Sequence, residues 1–142
     1  MISSREAVES DMNQLANIYS KARISAGCFS RPAASPEEFK ALVEGEKIYV
    51  AVRDSKLVGF VSVWVADKFI HHLYVQPEAQ GAGVGSFLLD ACTTIFGHPL
   101  SLKCEVSNTR AQQFYRSKGW VATETGSSDD GRWERLISSS PG

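Results

Sequence analysis

The sequence lacks any apolar run approaching the about 18 residues a membrane-spanning helix needs, so neither a span nor a membrane partner is expected. It lacks a basic surplus: 15 Lys and Arg face 16 Asp and Glu, a formal net charge of −1, which leaves no electrostatic footprint for nucleic acid. Cysteine is scarce and odd in number. Cys28, Cys92 and Cys104 have neither the spacing of a zinc site nor the even count of a disulfide framework. Free thiols in a reducing, cytoplasmic setting are expected, with no metal site. Cys92 and Cys104 fall among apolar neighbours, as small core residues do. The opening residues, MISSREAVESD, lack the apolar core of a secretion signal. No internal repeat or interdomain linker appears. The 142 residues therefore read as one domain over 1–137, large enough to bury a core, with a flexible tail over 138–142.

What is present alternates in period. Ile2 to Val8 reads as a short strand. Ser10 or Asp11 caps a helix through Leu15, Ile18, Tyr19 and Ala22, which Gly27 ends. Ser35-Pro36-Glu37-Glu38 is a cap, a first-turn proline and two acids, and opens a second helix that stops at Gly45. Lys47 to Arg53 and Leu57 to Ala66 alternate like strands around an Asp54-Ser55 turn. Phe69 to Val75 is a further strand. After the helix that follows, Gly97-His98-Pro99 breaks the chain. Leu100 to Val106 is a strand with Leu102, Cys104 and Val106 on one face, and Asn108 or Thr109 starts a helix ended by Gly119. Trp120 to Thr125 and Arg132 to Ile137 form a last hairpin across Gly126 to Gly131. Early hairpins and later helical crossovers predict an α/β fold with a mixed sheet, about seven strands and about four helices on both faces.

The chemistry concentrates in His71 to Cys92, HHLYVQPEAQGAGVGSFLLDAC. A strand ends before Pro77, which cannot donate to a sheet ladder. Then come Gly81, Gly83 and Gly85, and Val84, Phe87, Leu88 and Ala91 recur at helical spacing. A strand, a glycine loop and a helix N-terminus in this order can aim several amides at one phosphate. The dinucleotide fingerprint needs a wider last glycine spacing, and the P-loop needs a lysine that no glycine here precedes.

The pattern Val75-x-Pro77-x-x-Gln80-Gly81-x-Gly83-x-Gly85 resembles the acetyl-CoA-binding motif of the GCN5-related N-acetyltransferase (GNAT) superfamily. A second block agrees with that family: Asn108, Ala111, the Phe114-Tyr115 pair and Gly119-Trp120. The resemblance implies the GNAT fold and an acetyl-CoA-dependent N-acetyltransferase acting on a primary amine of a small molecule or peptide. It implies that acetyl-CoA is held by Gln80, Gly81, Ala82, Gly83, Val84, Gly85 and Ser86, with Asn108 and Ala111 as further contacts. Gln80 stands where many relatives carry Arg, so one phosphate contact is neutral here. The central strand is expected to splay from the strand of Leu102 to Val106. That frees backbone groups along Leu73, Tyr74 and Val75 for the pantetheine arm, and an amide at Val75 for the oxyanion.

Acetyl transfer also needs an acid and a base. The resemblance makes Tyr115 the acid for the leaving thiolate. A phenol near ~10 and a thiol near ~8.5 differ modestly. The structural alternative is a helix tyrosine packing in the core. For the base, His71 and His72 stand where some relatives place acids, and imidazole near ~6.5 suits the task. Strand parity lets at most one of them face the cleft. Glu105 is a third candidate. Lys103 occupies a position where other relatives have a carboxylate, and it cannot serve while charged. The resemblance places the acceptor between Ile24 to Phe39 and Thr125 to Trp133, giving Cys28, Phe29 and Trp133 as substrate-side candidates, with Arg31 and Trp64 nearby. Asp129 and Asp130 suit a cationic amine, Arg132 and Arg135 an acidic acceptor, and all four equally suit a solvated surface. Sheet edges at the C-terminal hairpin make a homodimer the expected assembly if the chain self-associates. The competing reading is an idle acyl-CoA-binding or sensor module.

Overall fold

The computed structural model describes residues 1–139. Among these the chain forms seven strands and four α-helices: β1 (Ile2–Glu6), α1 (Met12–Ala26), α2 (Pro36–Leu42), β2 (Lys47–Arg53), β3 (Lys56–Trp64), β4 (Phe69–Val75), α3 (Val84–Phe96), β5 (Ser101–Glu105), α4 (Thr109–Ser117), β6 (Val121–Ser128) and β7 (Gly131–Ile137). The strands make one mixed sheet ordered β1-β2-β3-β4-β5-β7-β6. Only β4 and β5 pair in parallel.

Local chemistry explains the ends of the elements. Asp11 accepts the Val8 N–H at 2.8 Å and two bonds from Arg5 at 2.8 and 3.1 Å. The chain therefore turns through residues 9–11, and β1 stops at Glu6, short of the predicted Val8. Ser35 and Glu38 exchange the two hydrogen bonds of a capping box, as their spacing predicts. Asp54 and Ser55 both take positive φ, which a two-residue hairpin requires.

Four further predicted boundaries shift. β3 ends at Trp64 because residues 65–67 form a 3₁₀ turn. Val106 lies beyond β5 and is exposed, apart from the buried Leu102 and Cys104. Gly126 lies within β6 and does not break it: Trp133 lies across it, and a Cβ there would collide with the indole. Ser138, assigned from sequence to a flexible tail, is buried. Its Oγ accepts the Leu100 N–H at 2.9 Å, and its own N–H donates to Leu100 O at 2.9 Å. Residues 140–142 of that tail lie outside the described residues.

The sheet buries both faces. One packs Val61, Val63, Ile70, Leu102 and Cys104 against Val84, Leu88 and Cys92 of α3 and Tyr115 of α4. The other packs Ile48, Val50 and Phe60 against Leu15, Ile18 and Tyr19 of α1 and Phe39 of α2. Each such side chain contributes on the order of 1.5–3 kcal/mol by leaving water. β2 and β3 are covered on both faces, hence their apolar runs.

Two irregularities position the site. β4 and β5 pair only at Phe69 and Ser101, then part. In β4, Ile70 pairs with Val63 and His72 with Ser62, so His71 is an extra residue in the ladder.

Candidate active site

Where β4 and β5 part, the backbone groups of β4 that face β5 lose their ladder partners beyond Phe69. A cavity of about 600 Å³ opens along this gap. Leu73, Tyr74 and Val75 line it from β4, and Gln80, Gly81, Gly83, Val84, Gly85 and Ser86 from the loop and first turn of α3. Asn108, Ala111, Phe114 and Tyr115 line it from α4, and Ala22, Ser25 and Ala26 from α1. Of the predicted cofactor residues, Ala82 alone is not on the wall.

The cradle follows from the glycines. Gly81 and Gly83 each sit at φ 83°, a region open to glycine at little cost. Gly83 precedes α3 and offers no capping side chain, so the first-turn amides of Val84, Gly85 and Ser86 lack intrahelical acceptors. Gly85 packs against the Phe114 ring of α4, where an added Cβ would make an ordinary contact at 3.4 Å. The Gln80 side chain turns inward and donates to Val75 O at 3.3 Å. Among the described residues, Arg110 is the only cation on the wall. Asn108 caps α4 by accepting the Ala111 N–H at 3.3 Å. This donor set fits a pyrophosphate and an extended acyl arm: free amides at a helix start, a lone arginine and an unpaired strand edge.

Tyr115 is buried against Trp120 and Phe114, and it still lines the cavity. Burial raises its phenol well above the ordinary value, and the anionic forms of Cys104 and Tyr74 would add to this. It is a neutral hydrogen-bond donor across the physiological range. Compared with the ~1.5-unit gap expected from unperturbed groups, full proton release is further uphill.

The two histidines do not behave as parity predicts. The bulge turns His71 onto the same face as His72, and the rings stack with centroids 3.9 Å apart. Neither lines the cavity. His71 Nδ1 meets Glu46 Oε2 at 2.5 Å, and Glu46 also accepts from the Ser62 hydroxyl. His72 is buried beside Tyr19, and burial lowers its imidazole to about 3, aided by His71 and Arg23.

The register places Glu105 opposite Trp133 and Lys103 opposite Arg135, all on the face turned from Cys104. Lys103 Nζ stands 4.3 Å from the Trp133 ring, so Trp133 is held between that ammonium and Gly126. Burial, then Asp130, raises the Glu105 carboxyl above the ordinary value, opposed by its own amide and Arg23. Glu105 also helps raise the Cys28 thiol, which burial raises first. Phe29 lies 3.8 Å over the Arg23 guanidinium, and Arg23 donates to the Tyr74 hydroxyl at 2.9 Å. Asp130 accepts the Ser30 N–H at 2.7 Å and its hydroxyl at 2.9 Å. Trp64, by contrast, is half exposed and covers Gly45.

Sequence reading missed Ala22, Ser25, Ala26, Arg23, Arg110 and Glu46. The first three carried a signal, since small residues at i, i+3 and i+4 mark a helix face that something approaches closely. Glu46 carried none.

Comparison with known proteins matches this architecture. The model of the acetyltransferase (GNAT) family matches residues 12–120, and the chain belongs to that family. A GCN5-related N-acetyltransferase from Rhodopseudomonas palustris superposes with TM-score 0.80 at 24% identity, over 96% of this chain and 94% of that one. The PaiA N-acetyltransferase of Thermoplasma acidophilum, solved with coenzyme A, gives 0.79 at 18% identity, over 95% and 98%. The ribosomal-protein-S18-alanine N-acetyltransferase of Escherichia coli gives 0.72 at 21%, over 96% and 91%. At these identities the likeness establishes the fold. Comparison with curated protein sequences gives no match. No helix of the described residues is long and apolar enough to cross a membrane.

Proposed function

We propose that the protein transfers an acetyl group from acetyl-CoA to a primary amine of a small molecule or peptide, by direct attack in a ternary complex. The observation that carries this reading is the cavity at the parted strands, walled by free amides at one end and by Tyr115 within. Acetyl-CoA supplies the activated thioester. The amides of Gly81 to Ser86, with Arg110, hold its phosphates, and the free edge of Leu73 to Val75 aligns its arm.

The amine nitrogen bonds to the acetyl carbon as the carbon–sulfur bond breaks. Tyr115 hydrogen-bonds to the departing sulfur and passes it a proton as the thiol forms, and the phenol regains that proton from water in the cavity before the next turnover. Glu105 takes the proton lost by the amine. We choose Glu105 over His71 and His72 because it lies opposite Trp133 and its charge acts on Cys28, where an acceptor would approach. Its carboxyl is also raised toward the working pH. His72 is sealed from solvent and His71 is committed to Glu46.

The test supplies acetyl-CoA with a panel of small and peptide amines and follows thiol release. Tyr115→Phe is expected to lower kcat by roughly 10²-fold with coenzyme A affinity preserved. Equal kcat in both proteins removes Tyr115 from the chemistry. Tight coenzyme A binding without turnover on any amine favours the idle module instead.

A further inference from the structure

Glu46, His71 and His72 form a cluster that acetyl transfer leaves unused. One ligand atom from each lies within 4.8 Å of the other two. The bulge in β4 creates this convergence by placing two sequence-adjacent imidazoles on one face, above the carboxylate that follows α2. The Glu46 side chain is only 5% exposed, and its oxygens go to the Ser62 hydroxyl and to His71 Nδ1. A second observation points to a missing partner. His72 is 6% exposed, and its Nε2 is sealed with no hydrogen-bond partner. A buried ring nitrogen left unpaired costs about 1–3 kcal/mol, and native structures pair nearly all such groups. Nothing else in the cluster supplies a donor to it.

We propose that Glu46, His71 and His72 bind one divalent transition-metal ion of the zinc class. Two imidazoles and one carboxylate suit Zn²⁺, Ni²⁺ or Cu²⁺, whereas Mg²⁺ and Ca²⁺ ask for more oxygen donors. Three protein ligands make a tetrahedral site with its fourth position open, and His71, 42% exposed in its side chain, gives that position a path to water. Ser62 is the outer partner that orients the carboxylate, as hydroxyls and carboxylates commonly orient metal ligands. Ligand bonds of about 2.0–2.2 Å require the Glu46–His71 pair, now at 2.5 Å, to open slightly and the two stacked rings to tilt toward one point. The carboxylate offsets one of the ion's two charges, and Arg23 is already committed to Tyr74 and two carbonyls.

The site shares no residue with the acetyl-transfer assignment, so either can fail alone. The test is calorimetric titration of chelator-stripped, desalted protein with ZnCl₂, together with visible absorption on adding Co²⁺. One equivalent of Zn²⁺ and an intense d–d band are expected. Glu46→Gln, which keeps a partner for Ser62, and His71→Ala, at the exposed rim, should each weaken binding at least tenfold. Cys28→Ser should leave it unchanged. Absence of a saturable one-equivalent site overturns the proposal. So does wild-type affinity in both ligand variants, or loss of binding in the Cys28 variant.

Discussion

The Glu105 carboxyl ends β5 in surroundings that disfavour its charge: burial first, then Asp130, with Arg23 only partly opposing them. A carboxyl whose folded pKa is raised binds its proton more tightly folded than unfolded. The stability this gives is complete below the unfolded value near ~4.3 and is lost as pH rises through the folded value. Glu105→Gln removes that loss. Its melting temperature is expected to exceed that of the parent at pH 7–8, and the difference should vanish near pH 4. The same change removes the proposed base, so kcat should fall roughly 10²-fold. The acidic limb of kcat/KM, placed above the ordinary glutamate range in the parent, should disappear. A variant with unchanged turnover and an unmoved acidic limb would return the role of base to water or another group. In the sequence Glu105 stands only as a third candidate base behind His71 and His72, on the strand read over Leu100 to Val106. What lifts it above the histidines is its register opposite Trp133 and the charges facing it from α1 and the last turn, neither of which spacing along the chain encodes.

At the scale of elements, the proposed cofactor cradle depends on how closely α3 lies on the sheet. Gly59, paired with Val75, sets that distance: a Cβ would stand 3.0 Å from Tyr74 O, 3.1 Å from Val84 Cγ1 and 3.3 Å from Leu88 Cδ1. The carbonyl and both helix side chains are fixed in the core, so Gly59→Ala forces α3 outward. Overpacking of this kind costs about 1–3 kcal/mol. Thermal or urea unfolding should show that loss, and coenzyme A affinity should fall with it, because Val84 starts the helix whose first-turn amides form the cradle. Full affinity in a destabilised variant would separate the cradle from the packing of α3. Helices, hairpins and the glycine loop were legible from the sequence because each is written locally, in caps, periods and turn residues. The β4 bulge was not, since it arises from pairing His72 with Ser62 while Ile70 still meets Val63. One inserted residue overturned the parity argument for both histidines and brought in Glu46 from a distant turn. Gly126 misled for a related reason: a glycine that reads as a turn signal is a flat seat for Trp133 on the neighbouring strand.

Across the whole molecule, the two walls of the proposed acceptor cleft come from opposite ends of the chain and meet at one contact. Asp130, in the turn between β6 and β7, accepts both the backbone N–H and the hydroxyl of Ser30, in the segment between α1 and α2. The Ser30 amide holds the Asp130 carboxyl below its ordinary value. The contact therefore persists at neutral pH and weakens only as pH falls through that lowered value. Neither residue belongs to the cofactor cavity. Asp130→Ala should release Ser30 and loosen Cys28 and Phe29 beside it, while the amides of Gly81 to Ser86 keep their geometry. The expected result is a KM for the acceptor amine raised about fivefold, the scale of one exposed charge-assisted hydrogen bond, with coenzyme A affinity and kcat at saturating amine close to the parent. Ser30→Ala leaves the backbone N–H to bind and should show a smaller effect in the same direction. If acceptor KM is unchanged in Asp130→Ala on every amine that supports turnover, the acceptor does not enter between these walls.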